Sequence, residues 1–408
     1  MRIHAYKALR PRPDLAGQVA APPYDTVDTA ESAELAKGNP MSFLHINHSE
    51  IDLPPGTNLY ADAVYTQAAA NLRSFKQNGW LVSEAGPRMY LYAQTMGAHT
   101  QTGLVCCAHI DDYIQDVIKK HELTRKDKED DRTKHTATIN ANIGPVFIAY
   151  RDVPEIRQVL APIPQKTAPL YDFVDELKVR HRVWPVADTA TIEKLFAEHV
   201  PVSYIADGHH RSASAVRVGT ERRAANPNHT GNEEYNWFLA VLFPASELKI
   251  LPYNRAVKDL HGLAPAEFLA KVKALFTVTE NPDPSPKAPR QVSLYLGGKW
   301  YGLSWPEVQS ANPVDKLDVS VLQNRVLKPL LGIDDPRTSQ RIKFIGGIRG
   351  PQELVKLVDQ KGYAVAFSMY PTTVDQLMAI ADAGQIMPPK STWFEPKLRT
   401  GLLSHELD

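Results

Sequence analysis

The sequence predicts a mixed α/β fold divided into two domains. The chain has 408 residues, more than a single hydrophobic core usually organises. Segments with the apolar pattern of strands are interleaved with segments of helical periodicity along the whole length. The composition, with 43% hydrophobic and 23% charged residues, is typical of globular proteins. These three observations together indicate strands and helices packed around more than one core.

Strand-like segments have a high content of apolar, β-branched and aromatic residues. They are 88–96, 102–110, 145–150, 202–206, 238–243, 291–296 and 364–369. The first two are joined by a short polar stretch that includes Gly97, and they predict a hairpin. Gly297-Gly298 predicts a second hairpin turn.

Helical periodicity predicts five helices. They cover 60–78, 190–199, 211–225, 264–275 and 318–331. The charge run 126–132, in contrast, is typical of a solvated surface segment.

We place the domain boundary after the predicted strand 238–243. The first predicted domain covers 1–245 and carries the hairpin as an insertion. The second, an α+β domain that packs against the first, covers 246–408, and its C-terminal segment is expected to return to a cleft between the halves. Proline clusters mark turns and rigid connections throughout.

Charge and cysteine content exclude several classes of protein. Lys and Arg number 46 and Asp and Glu also number 46, so no global field favours nucleic acid or a membrane. The only cysteines, Cys106 and Cys107, are adjacent, which excludes a disulfide framework and a cysteine-rich zinc site. No secretory signal and no membrane-spanning apolar run is present, so we expect a cytoplasmic protein.

The most informative motif is a strand that runs directly into a helix through Asp207, Gly208, His209, His210 and Arg211. A helix start offers unpaired N–H groups and a positive dipole end, which favour an anion. The glycine permits a tight turn, and the aspartate is expected to cap the helix or to bind a cation. Two titratable rings beside a permanently charged guanidinium suit a phosphoryl group.

Two other interpretations of this motif remain open. In the first, Asp207 only caps the helix and the histidines satisfy buried polar groups. In the second, the histidines bind a metal ion. Adjacent helical positions such as His209 and His210 point about 100° apart, which disfavours a shared metal ion.

Asp25 and Glu122 are the candidate carboxylates for general base or magnesium duty. Asp25 follows two prolines and Tyr24, so its loop is stiff, although an Asx-turn is an equal alternative. Glu122 follows His121 and precedes the charge run, where a plain surface turn is the alternative.

Three further residues are candidate ligand contacts. His45 follows a proline-stiffened turn, although such polar ends more often satisfy local backbone. Lys390 and Ser391 follow a diproline and could bind a phosphate, with interdomain packing of the neighbouring aromatic residues as the alternative.

Five motifs, in order along the chain, resemble a bacterial family of unknown function, the domain of unknown function 1015 family. They are 21–25 (APPYD), 39–46 (NPMSFLHI), 121–124 (HELT), 205–211 (IADGHHR) and 387–394 (MPPKSTWF). The resemblance spans nearly the whole chain.

The turn 205–211 also resembles the corresponding turn of the ParB/sulfiredoxin-like superfamily, which includes free-serine kinases and holds nucleotide phosphates there. This likeness implies a ParB/sulfiredoxin-like core for the first domain. Sulfiredoxins carry a cysteine within this turn where the chain has histidine, so sulfinic acid repair is disfavoured.

The resemblance implies phosphoryl transfer to or from a small hydroxyl compound, with serine or phosphoserine as the favoured ligand. A serine kinase or a phosphoserine phosphatase would fit serine metabolism. Its cofactors would be Mg²⁺ and ATP, ADP or another phosphoryl donor. Asp25, Glu122, His209 and His210 are then the expected catalytic residues, and Tyr24, His45 and His121 the expected substrate contacts; the residues for phosphate are 207–211 with Lys390 and Ser391.

Two alternatives come from other functional classes. The first is a nucleotide-responsive, ParB-like DNA-binding or regulatory protein, against which the balanced charge and the lack of a helix-turn-helix motif argue. The second is a metal-dependent nuclease. The partner is expected to be a small phosphorylated molecule, nucleic acid is disfavoured, and the sequence does not indicate an oligomeric state.

Overall fold

In the computed structural model, which describes residues 1–408, strands and helices alternate along the chain, so the predicted mixed α/β class is confirmed. The chain divides into two units, one of residues 1–248 and 396–408 and the other of residues 249–395. The last residues of the predicted second domain, 396–408, thus belong to the first unit.

The first unit is built on a nine-stranded sheet. Its strands, in spatial order, are Ile118–Lys119, Ser203–Asp207, Val146–Tyr150, Trp237–Pro244, His99–His109, Met89–Met96, Arg180–Val186 and Tyr171–Val174, with Ile3–His4 also paired to His99–His109. The predicted hairpin is confirmed, with Tyr90 opposite Val105 and a turn at Gly97, whose φ is +60°. Both cysteines are buried in this sheet.

A four-stranded sheet explains why residues 396–408 belong to the first unit. Its strands, in spatial order, are Leu81–Ser83, Ala8–Pro11, Ser404–Glu406 and Ala141–Asn142. The segment is also held by buried glutamine amides, since Gln101 donates to the carbonyl of Pro396 at 3.2 Å. These pairings satisfy backbone groups that would otherwise be buried without partners.

The helices of the first unit lie between these strands in sequence. They are Ala16–Val19, Thr29–Ala36, Leu44–Asn47, Asp62–Gln77, Ile110–Ile114, Lys126–Ile139, Pro154–Leu160, Ile163–Lys166, Thr189–His199 and His209–Ala225, with 3₁₀ turns at Pro13–Leu15, Ser49–Asp52, Glu234–Asn236 and Ala245–Glu247. Most of the run 126–132 is at least partly exposed, as expected for a solvated segment. These residues open a helix in which Asp131 is buried and accepts a hydrogen bond from the hydroxyl of Tyr65 at 2.9 Å.

The second unit contains a six-stranded antiparallel sheet. Its strands, in spatial order, are Thr277–Glu280, Lys299–Ser304, Gln291–Leu296, Val365–Met369, Tyr253–Val257 and Ile342–Gly346, and a separate pair is formed by Ile250–Leu251 and Trp393–Phe394. The predicted turn at Gly297-Gly298 is confirmed, and both glycines have positive φ, at 56° and 79°.

Helices of the second unit follow the same alternation. They are Pro265–Leu275, Asp318–Leu322, Gly350–Gln360 and Val374–Asp382, with a π-helical segment at Gln323–Leu327 and 3₁₀ turns at Pro313–Lys316 and Gly347–Arg349. The predicted helix 318–331 therefore changes from α to π geometry after Leu322. No helix of the chain combines the length and the apolar character that crossing a bilayer requires.

Candidate functional site

Asp207 ends an inner strand of the nine-stranded sheet, and Gly208 joins it to the helix His209–Ala225. Gly208 has φ +95°, a backbone conformation that residues with a side chain rarely adopt. A Cβ at this position would also lie 3.1 Å from the guanidinium of Arg211. Because the left-handed glycine starts the helix at once, the helix begins at His209 rather than at the predicted Arg211. Gly208, and not Asp207, is its N-cap residue.

The side chain of Arg211 is only 9% exposed and folds back over the start of its own helix. One Nη donates to the carbonyl of Pro145. The other lies 3.5 Å from a carboxylate oxygen of Asp207 and 3.9 Å from one of Asp25. Burial alone would lower the pKa of Arg211, but the two carboxylates outweigh burial and raise it. Its Nε has no hydrogen-bond partner, so the guanidinium keeps an unused donor in a buried position.

A lysine from the C-terminal segment completes this charge cluster. Nζ of Lys397 donates to Asp207 at 3.2 Å, and the carbonyl of Lys397 accepts from the amide of Gln94 at 2.8 Å. Burial alone would raise the pKa of Asp207, but Lys397 and Arg211 hold it well below its usual range. A carboxylate already engaged by two cations is a poor ligand for Mg²⁺, so this geometry does not favour the metal role predicted for Asp207. Sequence reasoning missed Lys397, because nothing local connects it with a residue so distant in the chain.

His210 fastens the loop 120–125 to the start of its own helix. Its Nε2 accepts a hydrogen bond from the backbone N–H of Arg125 at 3.0 Å, which places the ring proton on Nδ1. Burial lowers the pKa of His210, so the ring is neutral at pH 7. This attachment brings His121 and Glu122, which the loop carries, towards the helix start.

His121, Glu122 and His209 place three potential ligand atoms within 4.8 Å of one another. The two imidazole rings meet edge to face with centroids 4.5 Å apart, and Nδ1 of His209 lies 4.0 Å from the carboxylate of Glu122. Both ring nitrogens of His121 and Nε2 of His209 have no hydrogen-bond partner. Sequence reasoning considered His209 together with His210, whereas the structure pairs it with His121 from another segment.

Both imidazoles of this trio are neutral at pH 7. Burial lowers the pKa of His121 to about 4. Burial also holds the pKa of His209 well below its ordinary value, and the neighbouring His121 lowers it further. A neutral imidazole is the form that coordinates a metal ion.

A pocket lies beside Arg211. Its lining includes Tyr24, Asn47, Arg132, His135, Gly144, Arg211 and Thr400. The side chain of Arg132 is 14% exposed and pairs with Asp131 at 2.8 Å, and its guanidinium lies 4.3 Å from the ring centroid of Tyr24. Sequence reasoning missed Arg132 because it belongs to the charge run that was expected to be solvated.

The other three predicted ligand contacts are His45, Lys390 and Ser391. Both ring nitrogens of His45 have local partners, Asp52 at 2.8 Å and a backbone carbonyl at 3.2 Å, and the hydrogen bond to Asp52 raises its pKa. Lys390 and Ser391 belong to the second unit, where the hydroxyl of Ser391 donates to the carbonyl of Pro388 at 2.6 Å. Their roles in ligand binding stay predictions.

Stability is expected to fall as the pH drops from 6.5 towards 4, because three buried histidines stay neutral in the folded chain. Burial lowers the pKa of His121 to about 4 and that of His135 to about 3, and the pKa of His209 is also lowered well below 6.5. In the unfolded chain these rings take up protons near pH 6.5. The unfolded state therefore binds protons first, and each histidine lowers the free energy of unfolding by about 1.4 kcal/mol per pH unit in this window.

Urea denaturation between about pH 7.5 and about pH 5 measures this slope. His135→Gln should reduce the slope of the free energy of unfolding against pH by the contribution of one histidine. A free energy of unfolding that does not change with pH would contradict the expectation.

The family model described as protein of unknown function (DUF1015) matches residues 3–320. No curated protein matches the chain. A free serine kinase in complex with AMP has 14% sequence identity and a TM-score of 0.36, with 71% of this chain and 86% of that chain covered. A conserved hypothetical protein from Pyrococcus furiosus has 15% identity and a TM-score of 0.35, covering 73% and 95%. SbnI from Staphylococcus aureus, with a C-terminal truncation, has 10% identity and a TM-score of 0.34, covering 73% and 86%.

Proposed function

We propose that this chain, which belongs to the family described as protein of unknown function (DUF1015), binds a phosphorylated small molecule beside Arg211 and transfers a phosphoryl group between that ligand and a small hydroxyl compound. One observation carries the proposal. Nε of the buried Arg211 has no partner, and its side chain lines a pocket that Arg132 also lines. An unpaired buried donor costs about 1–3 kcal/mol, which a bound oxyanion would recover. Two guanidinium groups at one pocket suit the charge and shape of a phosphate.

Asp25 is the proposed general base. It follows Tyr24 in a turn closed by the N–H of Thr26, which donates to the carbonyl of Pro23 at 3.1 Å. Its carboxylate is 36% exposed and lies 3.9 Å from Arg211, so it is accessible and held near the proposed phosphate site. As the substrate hydroxyl oxygen attacks phosphorus, its proton passes to this carboxylate and the bond from phosphorus to the leaving oxygen breaks.

The start of the helix His209–Ala225 supplies further donors for the transferred group. Its first backbone N–H groups are not used within the helix, and the positive end of the helix dipole lies there. The Nδ1–H of His210 adds a side-chain donor, since its other nitrogen already accepts from Arg125. Such fixed donors stabilise charge on the equatorial oxygens in the transition state.

The finer assignment is a serine kinase or phosphoserine phosphatase with ATP or ADP as the nucleotide. It is supported by the resemblance of the motif 205–211 (IADGHHR) to the corresponding turn of the ParB/sulfiredoxin-like superfamily, which includes free-serine kinases. Mg²⁺ carried by the nucleotide phosphates would neutralise part of their charge. Asp25 is the better carboxylate to reach such an ion, because Asp207 is already engaged by Lys397.

Phosphorus NMR of the full chain with ATP or ADP, serine and Mg²⁺ tests the proposal. If the protein is a serine kinase, we expect the phosphoserine signal to increase over time when the protein is present. If it is a phosphoserine phosphatase, we expect phosphate to be released from added phosphoserine. Asp25→Asn should abolish either reaction. Asp14→Asn, which changes an exposed aspartate of the same domain, should not. If neither phosphoserine formation nor its hydrolysis occurs with ATP, ADP or pyrophosphate, the assignment to serine chemistry is wrong.

A metal-dependent phosphodiesterase is the second candidate, favoured by the His121, Glu122 and His209 donors. It predicts metal-dependent cleavage of DNA without added nucleotide. Cleavage that survives Arg211→Met but not His209→Asn would support this candidate over phosphoryl transfer.

A further inference from the structure

We propose that His121, Glu122 and His209 form a binding site for a divalent transition-metal ion, with Zn²⁺ as the best-matched probe. The site uses different atoms from the phosphate pocket beside Arg211 and goes beyond the proposed phosphoryl transfer. Three side chains from two separate segments, the loop 120–125 and the helix start, meet here with their ligand atoms within 4.8 Å.

The first reason for proposing a metal ion is that ring nitrogens of His121 and His209 are buried without hydrogen-bond partners. His121 is 2% exposed and His209 is 5% exposed, and three of their four ring nitrogens have no hydrogen-bond partner. Buried polar atoms in folded proteins nearly always have a partner, so a pair of imidazoles left this way calls for a missing ligand. A metal ion coordinated by one nitrogen of His121 would supply that ring with a partner.

The donor set identifies the class of metal. Two neutral imidazoles and one carboxylate suit zinc and neighbouring first-row transition metals, whereas Mg²⁺ and Ca²⁺ prefer oxygen ligands. Both rings stay neutral at pH 7 because burial lowers their pKa values. Coordination therefore requires no proton to leave either ring.

The geometry allows closure around an ion with small movements. In a tetrahedral zinc site, ligand atoms at bond lengths of about 2.1 Å lie about 3.4 Å apart. Nδ1 of His209 and the nearer oxygen of Glu122 are separated by 4.0 Å. The Glu122 side chain is 43% exposed, so it has room to rotate inwards while the two buried rings hold their positions. Three protein ligands would leave a coordination position for water or a substrate oxygen.

A nearby carboxylate acts on both rings of the proposed site. Asp207 raises the pKa of both His121 and His209. A nearby anion favours a bound cation by the same Coulomb attraction.

The test is metal titration of the full chain after chelator treatment. Isothermal titration with Zn²⁺ and elemental analysis should show one ion per chain, and Co²⁺ should give the visible absorption of a low-symmetry nitrogen and oxygen site. Glu122→Gln and His121→Asn should each weaken Zn²⁺ binding at least about 100-fold, as loss of a ligand does. Because Glu122 is partly exposed, Glu122→Gln tests the site even if His121→Asn does not fold.

The chain offers a matched control in His199 and Glu198. Their ring nitrogen and carboxylate lie 3.9 Å apart, almost the separation of His209 and Glu122, but both are exposed and no second histidine joins them. His199→Asn should leave Zn²⁺ binding unchanged. Equal Zn²⁺ affinity and an unchanged Co²⁺ spectrum in Glu122→Gln and His121→Asn would overturn the proposal, as would a wild-type chain that binds neither ion.

Discussion

Arg211→Met is expected to weaken binding of ADP and pyrophosphate about 10- to 100-fold. The side chain of Arg211 is 9% exposed and lines the pocket, and its buried Nε has no hydrogen-bond partner. In the proposed complex this Nε donates to a phosphate in a dry environment. A charge-assisted hydrogen bond contributes about 1.5–3 kcal/mol. Loss of this bond corresponds to a roughly 10- to 100-fold loss of affinity, because each 1.4 kcal/mol is about tenfold.

Isothermal titration of the wild type and the variant measures this effect. Arg217→Met is the matched control, because Arg217 lies on the same helix with its side chain 42% exposed and paired with Asp130 and Glu221. It should bind ADP as the wild type does. Zn²⁺ binding should survive in Arg211→Met, which separates failure of the phosphate site from failure of the metal site. Unchanged ADP affinity in Arg211→Met would remove the observation on which the proposed function rests.

Asp207→Ala is expected to lower the free energy of unfolding by about 3 kcal/mol, the largest stability loss among these variants. Removal of the carboxylate leaves Lys397 and Arg211 without their shared partner. Breaking a buried ion pair on one side costs about 3–5 kcal/mol. We expect the lower end of that range because 27% of the Asp207 side chain is exposed.

Urea denaturation at neutral pH gives the difference in free energy. Asp130→Ala is a matched control, since Asp130 also lies between two cations, Lys126 and Arg217, but on the surface. Its loss should cost no more than about 1 kcal/mol. The double variant Asp207→Ala, Lys397→Met should recover part of the loss, because one unpaired charge is removed with its partner. Equal stability of Asp207→Ala and Asp130→Ala would show that the Lys397 contact does not hold the C-terminal segment.

Elements with a clear local pattern were predictable from the sequence. The hairpin Met89–Met96 and His99–His109 is apolar on both strands with a glycine turn between them, and it forms as expected. The strand Arg180–Val186 was missed, because two arginines and Pro185 interrupt its apolar pattern. It nevertheless pairs with Met89–Met96 over its whole length, so tertiary pairing overrides a weak local signal.

The helix Lys126–Ile139 was missed for a related reason. Its first turns are almost wholly charged, which is typical of solvated surface. In the structure Asp131 and Arg132 of this helix turn towards Tyr65 and Tyr24. Burial of one polar face against aromatic partners is a property of packing, and no period in the sequence reveals it.

By itself the sequence determined the turn at Gly208, since a strand followed by glycine and a polar helix start has few other conformations, and with it the grouping of His209, His210 and Arg211 at one helix end. Only the tertiary structure decided which distant groups join them. Lys397 reaches Asp207 from the far C-terminal segment, and His121 meets His209 through the loop that His210 holds. Local conformation depends on neighbours in the chain, whereas these contacts depend on how the sheets bring remote segments together.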